Sequence, residues 1–259
     1  MTEAAFRYFI DYYHLMVYIQ MVAQMTFRAD PSSLSVSSAL RRLLHEAPAK
    51  SEIPKLVQTI DEGLKQPTTA LVRHTRLLYL EDELRIARGV DNFLTFISDL
   101  LATIYRIRPE ALKSSESIKL EVVLSHSSME TLVQELVERR VNQLSYQGVR
   151  ELSKYIEDRL GLELFSNSKE LERAAGIVDA RNLIVHNRGI VNRLYQEKHP
   201  TSKLGSRLCF SVETIFSDLE FLFLTVCNAD QRATEKFGLE ATRTLSELEE
   251  IITGRESVL

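Results

Sequence analysis

Apolar residues repeat at the spacing of an α-helix along much of this 259-residue chain. The clearest case is the segment from Thr68 to Arg108, which contains no proline and places a large apolar residue about every 3.6 positions. This periodicity predicts either one very long helix or two helices that break near Gly89. Pro109 ends the segment, because proline is excluded from helix interiors.

A second long helix is predicted near the N-terminus, over residues 2–27, and it is rich in aromatic side chains. Such a density of rings is typical of a buried core or of a surface between subunits. Pro31 breaks this helix, and two shorter helical segments follow before Pro67. We therefore predict an all-α protein with an N-terminal helical region over residues 1–66 and a helical domain, including a C-terminal helix, over residues 67–259.

Residues suited to capping mark several helix ends in the second half of the chain. A capping serine or asparagine accepts a hydrogen bond from a free amide in the first helical turn, and a following glutamate can reach back to it. The predicted boundaries are a capping box at Ser127 and Glu130, a start at Asn167, an end at Asn187 or Arg188, a cap at Ser211 and an amphipathic helix over residues 239–252.

One predicted helix carries the stretch Asp179-Ala-Arg-Asn-Leu-Ile-Val-His-Asn-Arg-Gly189. On a helix that turns about 100° per residue, Arg181 and His186 lie about 140° apart, with Asn182 between them. The opposite side is typical of a stripe that docks onto a core, and it consists of Ile177, Ala180, Ile184 and Val191. Because Val178 and Val185 share the polar face, we expect a second surface to cover that face, and a partner subunit is one candidate.

The overall charge limits the kinds of partner that the chain can bind. Hydrophobic residues at 44% and charged residues at 26% are ordinary for a globular protein, and 9 glycines and 6 prolines favour helices over tight turns. A formal net charge of −4 argues against a large non-specific surface for nucleic acid, but it allows a local basic site. One extended stretch is basic, with a single acid, Glu197, among Arg181, Arg188, Arg193, Lys198, Lys203 and Arg207.

Several other function classes lack their sequence signals. Cys209 and Cys227 are expected to be free core thiols in a reducing compartment. The histidines form no group at zinc-binding spacing, so we expect no metal, and nothing predicts a cofactor. The N-terminus lacks the basic region of a signal peptide, and the longest apolar run is shorter than the roughly 20 residues of a membrane helix. A cytoplasmic location without a membrane is the default expectation.

The segment 181–189, with Arg181, Asn182 and His186 in the order Arg-Asn-x-x-x-His, resembles the signature of the HEPN superfamily. Residues 90–116 and 128–164 are similar to the helices that precede this motif, and the RiboL-PSP-type branch is the nearest. The resemblance extends over about residues 77–239. It implies a HEPN-like helical bundle with an additional N-terminal helical region. It also implies a homodimer in which two motif helices meet in a shared, composite active site.

These residue types suit the cleavage of RNA without a metal. RNA carries its own nucleophile, the 2′-hydroxyl, so the enzyme needs a base, an acid and cations for the charge on phosphorus. His186 would transfer protons, because the unperturbed pKa of histidine is about 6.5. Arg181 stays charged and can grip two phosphate oxygens, which would stabilise the transition state. Asn182 would orient the imidazole or a phosphate oxygen.

Further residues are candidates for secondary roles. Asn187, Arg188, Arg193 and Tyr195 are candidate substrate contacts, although Arg188 also suits an exposed helix-end cation that interacts with the helix dipole, and Tyr195 also suits packing. The resemblance suggests a supporting role for Asp91, which otherwise reads as a solvated or capping residue. The remaining histidines have no comparable neighbours and are expected to be ordinary: His14, His45, His74, His126 and His199.

The leading prediction is therefore a metal-independent endoribonuclease that leaves a 2′,3′-cyclic phosphate and a 5′-hydroxyl. The resemblance places it among toxins and effectors of anti-phage or stress defence, with an antitoxin or another defence protein as a possible partner. The alternative is a non-catalytic HEPN module whose motif face binds a partner protein. Nucleotide binding by the basic loop ranks lowest, because the loop lacks a glycine-rich phosphate cradle.

Overall fold

The computed structural model describes residues 1–28, 76–112, 120–145 and 148–240 together with 243, 244, 247 and 250, and these residues contain eight α-helices and no sheet. The helices are α1 (Glu3–Arg28), α2 (Arg76–Ile107), α3 (Leu120–Leu124), α4 (Met129–Ser145), α5 (Val149–Leu160), α6 (Ser168–Asn187), α7 (Arg193–Lys198) and α8 (Val212–Phe237). A 3₁₀ turn, Pro109–Leu112, follows α2, and an isolated antiparallel bridge joins Ile190 to Arg207. The predicted all-α class is confirmed.

The chain divides into two compact units. One contains Met1–Met16 and Arg85–Leu259, and it carries the motif helix α6; the other contains Val17–Leu84. The predicted boundary between residues 66 and 67 lies outside the described residues, as do the shorter helices predicted before it. Eight of the 14 residues of the amphipathic helix predicted over residues 239–252 also lie outside them.

Helix α2 is continuous through Gly89, so of the two predicted alternatives the single long helix is correct. A Cβ atom on Gly89 would lie 2.1 Å from Cδ2 of Leu219 in α8, which is far inside van der Waals contact. Glycine at this position therefore allows the two helices to approach closely. After Gly89, α2 supplies a row of core residues that are at most 2% exposed: Val90, Phe93, Phe96, Ile97, Leu100, Leu101 and Ile104.

The aromatic residues of α1 pack against the core of the larger unit. Tyr8 is 3% exposed, and its ring centroid lies 6.0 Å from that of Phe96 in α2. The rings of Phe9 and Tyr12 lie 5.1 and 4.9 Å from the ring of Phe223 in α8. Of the two interpretations of this aromatic segment, packing in the core therefore applies to residues 1–16.

Local capping sets the ends of the helices that carry the site. Asn167 caps α6 as predicted, because its Oδ1 accepts from the backbone N–H groups of Lys169 and Glu170, both at 3.0 Å. Ser211 caps α8 as predicted. The predicted cap of α4 is wrong by one residue, because Ser128 and not Ser127 accepts from the first turn, and α4 begins at Met129.

The motif helix α6 ends at Asn187, and Arg188 follows it in the left-handed region with φ 56°. Glycine usually occupies this position, and an L residue there costs about 1–2 kcal/mol. Three of the four residues of the predicted apolar stripe are buried: Ile177, Ala180 and Val191 are at most 6% exposed. At Val178 the chain itself provides the expected covering surface, because this residue is 5% exposed, whereas Val185 on the same face is 49% exposed.

Two further expectations concern the cysteines and the membrane. Cys209 and Cys227 are both free thiols, but Cys209 is exposed and does not belong to the core. Burial raises the pKa of the half-buried Cys227 thiol, with the nearby Asp230 carboxylate adding to the effect. Among the described helices, none combines the length and the apolar character needed to cross a bilayer.

The close approach at Gly89 predicts opposite effects for the same substitution at two helix interiors. Alanine is favoured over glycine within a helix by about 1 kcal/mol. At Gly176 in α6 a Cβ would meet only ordinary contacts, the nearest at 3.7 Å, so Gly176→Ala should stabilise the protein by up to about that amount. Gly89→Ala should instead destabilise it by about 1–3 kcal/mol, because buried Leu219 must move.

The measurement is the free energy of unfolding from denaturant titration, with an unchanged slope as the check on two-state behaviour. Gly176→Ala serves as the matched control for helix propensity. Equal stabilisation by both substitutions would show that α2 and α8 do not depend on this close approach.

Candidate functional site

Arg181 of α6 is anchored to α2. Its Nη2 lies 2.6 Å from Oδ1 of Asp91, and its Nη1 donates to Oδ1 of Asn182 at 3.1 Å. The Arg181 side chain is 22% exposed, and its buried Nε has no hydrogen-bond partner among the described residues. The structure thus brings Asp91 together with the motif arginine, and their contact joins the motif helix to the core helix α2.

A cleft of about 240 Å³ opens between α6 and the segment that includes α7. On α6 it is lined by side chains spaced three or four residues apart, which share one face of a helix. The lining residues are Asp179, Asn182, Leu183, His186, Asn187, Asn192, Leu194, Tyr195 and Lys198. Of the predicted site residues, Asn182, His186, Asn187 and Tyr195 therefore meet in one cleft.

The His186 imidazole is exposed and makes no hydrogen bond or ion pair with any described residue. Its neighbour Asn182 is held through its side-chain oxygen by Arg181. Arg181 itself does not line the cleft and reaches its edge only through this asparagine. The His186 imidazole, which can transfer protons, therefore lies beside the oriented Asn182 amide. The Arg181 guanidinium, fixed by Asp91, lies behind that amide.

Asp179 is the residue that sequence reasoning missed. Its carboxylate is 12% exposed and lies 2.8 Å from Lys198 Nζ, 3.4 Å from His199 Nε2 and 3.6 Å from Arg150 Nη1. Arg150 in turn forms two hydrogen bonds with the carboxylate of Glu172, at 3.0 and 2.7 Å. This network connects α5, α6 and the end of α7 along one wall of the cleft.

The interpretation of His199 as a histidine without notable neighbours is wrong. Besides its contact with Asp179, its ring packs against the tilted ring of Tyr195 with a centroid distance of 4.4 Å, and its backbone N–H donates to the Tyr195 carbonyl. The ring lies next to Gly176 of α6, where a Cβ atom would stand 3.7 Å from the imidazole, an ordinary van der Waals contact. The 20-residue separation between Asp179 and His199 hides this pairing in the sequence.

Tyr195 has a half-buried phenol that faces the cleft. Burial raises its pKa above the ordinary value, and the nearby Asp179 carboxylate adds to the increase. The phenol therefore stays protonated at neutral pH. It can donate a hydrogen bond to a ligand, but it cannot serve there as a base.

The basic stretch is only partly available to a ligand. Arg181 is paired with Asp91, and Lys198 is paired with Asp179. The other predicted contacts, Arg188 and Arg193, are exposed but do not line the cleft. Of the predicted contacts, the exposed cations Arg188 and Arg193 are therefore at the border of the cleft and not inside it. No group of three metal-ligating side chains occurs among the described residues.

The Asp179 network predicts a local effect on α7. Asp179→Ala removes an acceptor from three cationic or ionisable partners, and hydrogen bonds to charged groups contribute about 1.5–3 kcal/mol each at most. We expect a loss of about 1–3 kcal/mol in stability and faster amide exchange in α7, because Lys198 and His199 lose their anchor.

A suitable control is Asp218→Ala, which removes a carboxylate of comparable exposure that pairs with Arg173 at 3.1 Å. This change should leave exchange in α7 as it is in the wild type. Hydrogen exchange with peptide resolution makes the comparison, and unchanged protection of α7 in Asp179→Ala would contradict the assigned role.

Comparison with known proteins adds no further information about this cleft. No protein-family model, curated protein or solved structure matches the chain. The chemistry of the site is therefore judged from its own groups: an exposed imidazole, three half-buried amides, a protonated phenol and anchored cations.

Proposed function

We propose that the protein is a metal-independent endoribonuclease that cleaves RNA through attack of the 2′-hydroxyl. One observation carries the proposal: the exposed His186 imidazole, which has no protein partner among the described residues, faces a cleft together with Asn182. Arg181 lies behind this amide, fixed by Asp91. A free imidazole with a fixed guanidinium nearby supplies two of the groups that phosphoryl transfer within RNA requires, a base and a cation for the charge on phosphorus.

The reaction needs no group beyond the protein and the RNA. His186 removes the proton from the 2′-hydroxyl, and O2′ forms a bond to the adjacent phosphorus while the bond from phosphorus to O5′ breaks. An acid delivers a proton to the departing O5′. The products are a 2′,3′-cyclic phosphate and a 5′-hydroxyl. Arg181 stabilises the charge on the phosphoryl oxygens, and Asn182 orients the imidazole or the phosphate.

In the proposal, the acid is His186 of a second copy of the chain. The cleft of one chain offers a single exposed imidazole, and its half-buried Tyr195 phenol packs against the His199 ring. Apolar side chains lie exposed close to His186, with Val185 at 49% and Leu194 at 71%. A second copy that covers these two side chains would bring both imidazoles to one groove.

The exposed Val185 and Leu194 side chains also suit the second candidate function. This is a non-catalytic module that binds a partner protein through the face of α6 that carries His186. The resemblance to HEPN ribonucleases favours the enzyme and extends the proposal to a toxin or defence effector in the cytoplasm, restrained by an antitoxin or another defence protein. Cleavage of RNA distinguishes the two candidates, because only the enzyme requires it.

The first prediction from this proposal concerns activity. The wild-type protein should cleave single-stranded RNA in EDTA and leave a 2′,3′-cyclic phosphate, and it should not cleave an RNA with 2′-deoxy sugars. His186→Ala and Arg181→Ala should each lower the rate by about 100-fold or more, since one removes the proton-transfer group and the other the charge stabilisation. Product termini are identified by mass spectrometry.

The control is His126→Ala, which removes a histidine that pairs with Glu135 at 2.7 Å between α3 and α4. It should cleave RNA as the wild type does. Cleavage that persists in His186→Ala, or that requires an added metal ion, contradicts the mechanism. A folded protein that cleaves no RNA but still captures a partner through this face supports the interaction module.

A separate prediction concerns assembly. Val185→Glu should weaken self-association by at least about tenfold, because burying an unpaired carboxylate at a subunit contact is unfavourable. Sedimentation velocity should show a species of twice the 29.7 kDa chain mass for the wild type and a shift toward one chain mass for the variant.

Leu224→Glu provides the comparison, because Leu224 is equally exposed, at 53%, but lies on α8. That variant should associate as the wild type does. A wild-type protein that stays monomeric at high concentration, with or without RNA, would rule out the composite site.

A further inference from the structure

Three asparagine side chains line the cleft, and each uses one end of its amide group to hold the protein together. Asn182 is bonded to Arg181, Asn187 to the carbonyl of Ile190, and Asn192 to the backbone N–H of Tyr195. All three are half-buried and uncharged. The other end of each amide has no partner among the described residues.

The partners fix which end of each amide is free. A guanidinium and a backbone N–H can only donate, so Asn182 and Asn192 must each present their side-chain oxygen to them, at 3.1 and 2.9 Å. A carbonyl can only accept, so Asn187 must present its NH₂ group to Ile190. None of the three amides can flip without losing its bond.

The three asparagines therefore offer a defined set of neutral groups to a ligand, beside the Tyr195 phenol and the His186 imidazole that line the same cleft. Asn182 and Asn192 leave two NH₂ donors unused, and Asn187 leaves one carbonyl acceptor unused. Two donor groups with one acceptor complement a ligand edge that carries two acceptors and one donor. When a ligand displaces water from the cleft, a donor or acceptor that is left without a partner becomes unfavourable, so a ligand that satisfies all three is selected over one that does not.

We propose that this cleft is a binding site for a pyrimidine base of RNA. The pairing edge of uracil carries two carbonyl acceptors and one N–H donor. The pairing edge of cytosine carries two acceptors and one amino donor. Guanine presents a single acceptor with two donors, and adenine a single acceptor with one donor. Single-stranded RNA is commonly recognised through these edges, because its bases are unstacked and open.

The size and position of the cleft agree with this assignment. Its volume of about 240 Å³ is smaller than the roughly 300–1,000 Å³ of sites for drug-sized ligands, so it fits one base or one sugar and not a longer segment. Leu183 supplies apolar lining for a face of the base. His186 lies in the same cleft, and the exposed Arg188 lies one residue beyond the end of α6.

This inference rests on the proposed ribonuclease function in one respect: it makes the base beside the cleaved phosphate a pyrimidine. Base binding can nevertheless be measured without cleavage. Binding of the 3′-monophosphates of uridine, cytidine, adenosine and guanosine to the full chain is followed by calorimetry or by NMR shifts. We expect the two pyrimidine nucleotides to bind at least about tenfold more tightly than the two purine nucleotides.

Variants at Asn192 separate base recognition from folding. Asn192→Asp and Asn192→Ser both keep the oxygen that caps α7, because aspartate and serine are good caps, but both remove the NH₂ donor. Each should reduce the preference for pyrimidine over purine by about tenfold. The ratio of affinities is the readout, since a new charge that repels every phosphate leaves the ratio unchanged.

The matched control is Asn167→Asp, which exchanges the same residue types at the exposed cap of α6 and should leave the ratio unchanged. Equal affinity for all four nucleotides, or no binding of any of them, overturns the pyrimidine site. RNA cleavage without base preference also overturns the pyrimidine site, but it supports the proposed ribonuclease function. Selective pyrimidine binding without any cleavage supports the pyrimidine site and contradicts the proposed ribonuclease function.

Discussion

The Asp179 carboxylate holds the candidate site together, because it is the point where three segments of the larger unit meet. It is 12% exposed and contacts a lysine, a histidine and an arginine from outside its own helix. A carboxylate shielded to this degree is stable only when its charge is matched, so its partners are held in place. The consequence is that α7, which has six residues and no buried side chain of its own, keeps a defined position beside α6.

The arginine side of the motif depends on a different constraint. Helix α2 can carry a large apolar row into the core because Gly89 lets α8 approach closely. Two residues later, Asp91 stands 41% exposed and meets Arg181. The core therefore positions the carboxylate, the carboxylate positions the guanidinium, and the guanidinium positions the Asn182 amide. A polar group at the cleft is in this way fixed by the packing of two long helices.

The sequence predicts what depends on neighbouring residues and misses what depends on tertiary contacts. Asn167 and Ser211 were predicted as caps because a cap bonds amides only two or three residues away. The same local rule failed by one residue at Ser127, since adjacent serines present equal chemistry. His199 and Asp179 could not be paired in advance, because the loop that follows α6 brings them together. The sequence left open which surface covers Val178, because helical periodicity gives a direction but not the elements that surround it.

The proposed binding of RNA must be reconciled with a net charge of −4, and the division between paired and unpaired groups at the cleft bears on it. The cations nearest the cleft, Arg181 and Lys198, are already matched by carboxylates, so they add little to attraction at a distance. Only the exposed cations at its border remain for phosphate contacts, and binding by charge alone would therefore be weak. In the proposed ribonuclease, affinity would then come from neutral hydrogen bonds inside the cleft, where partners fix the three amides. Such bonds depend on the identity of a base and not on the phosphate backbone. The proposed site would therefore attract RNA weakly through charge but select strongly for the base that enters the cleft.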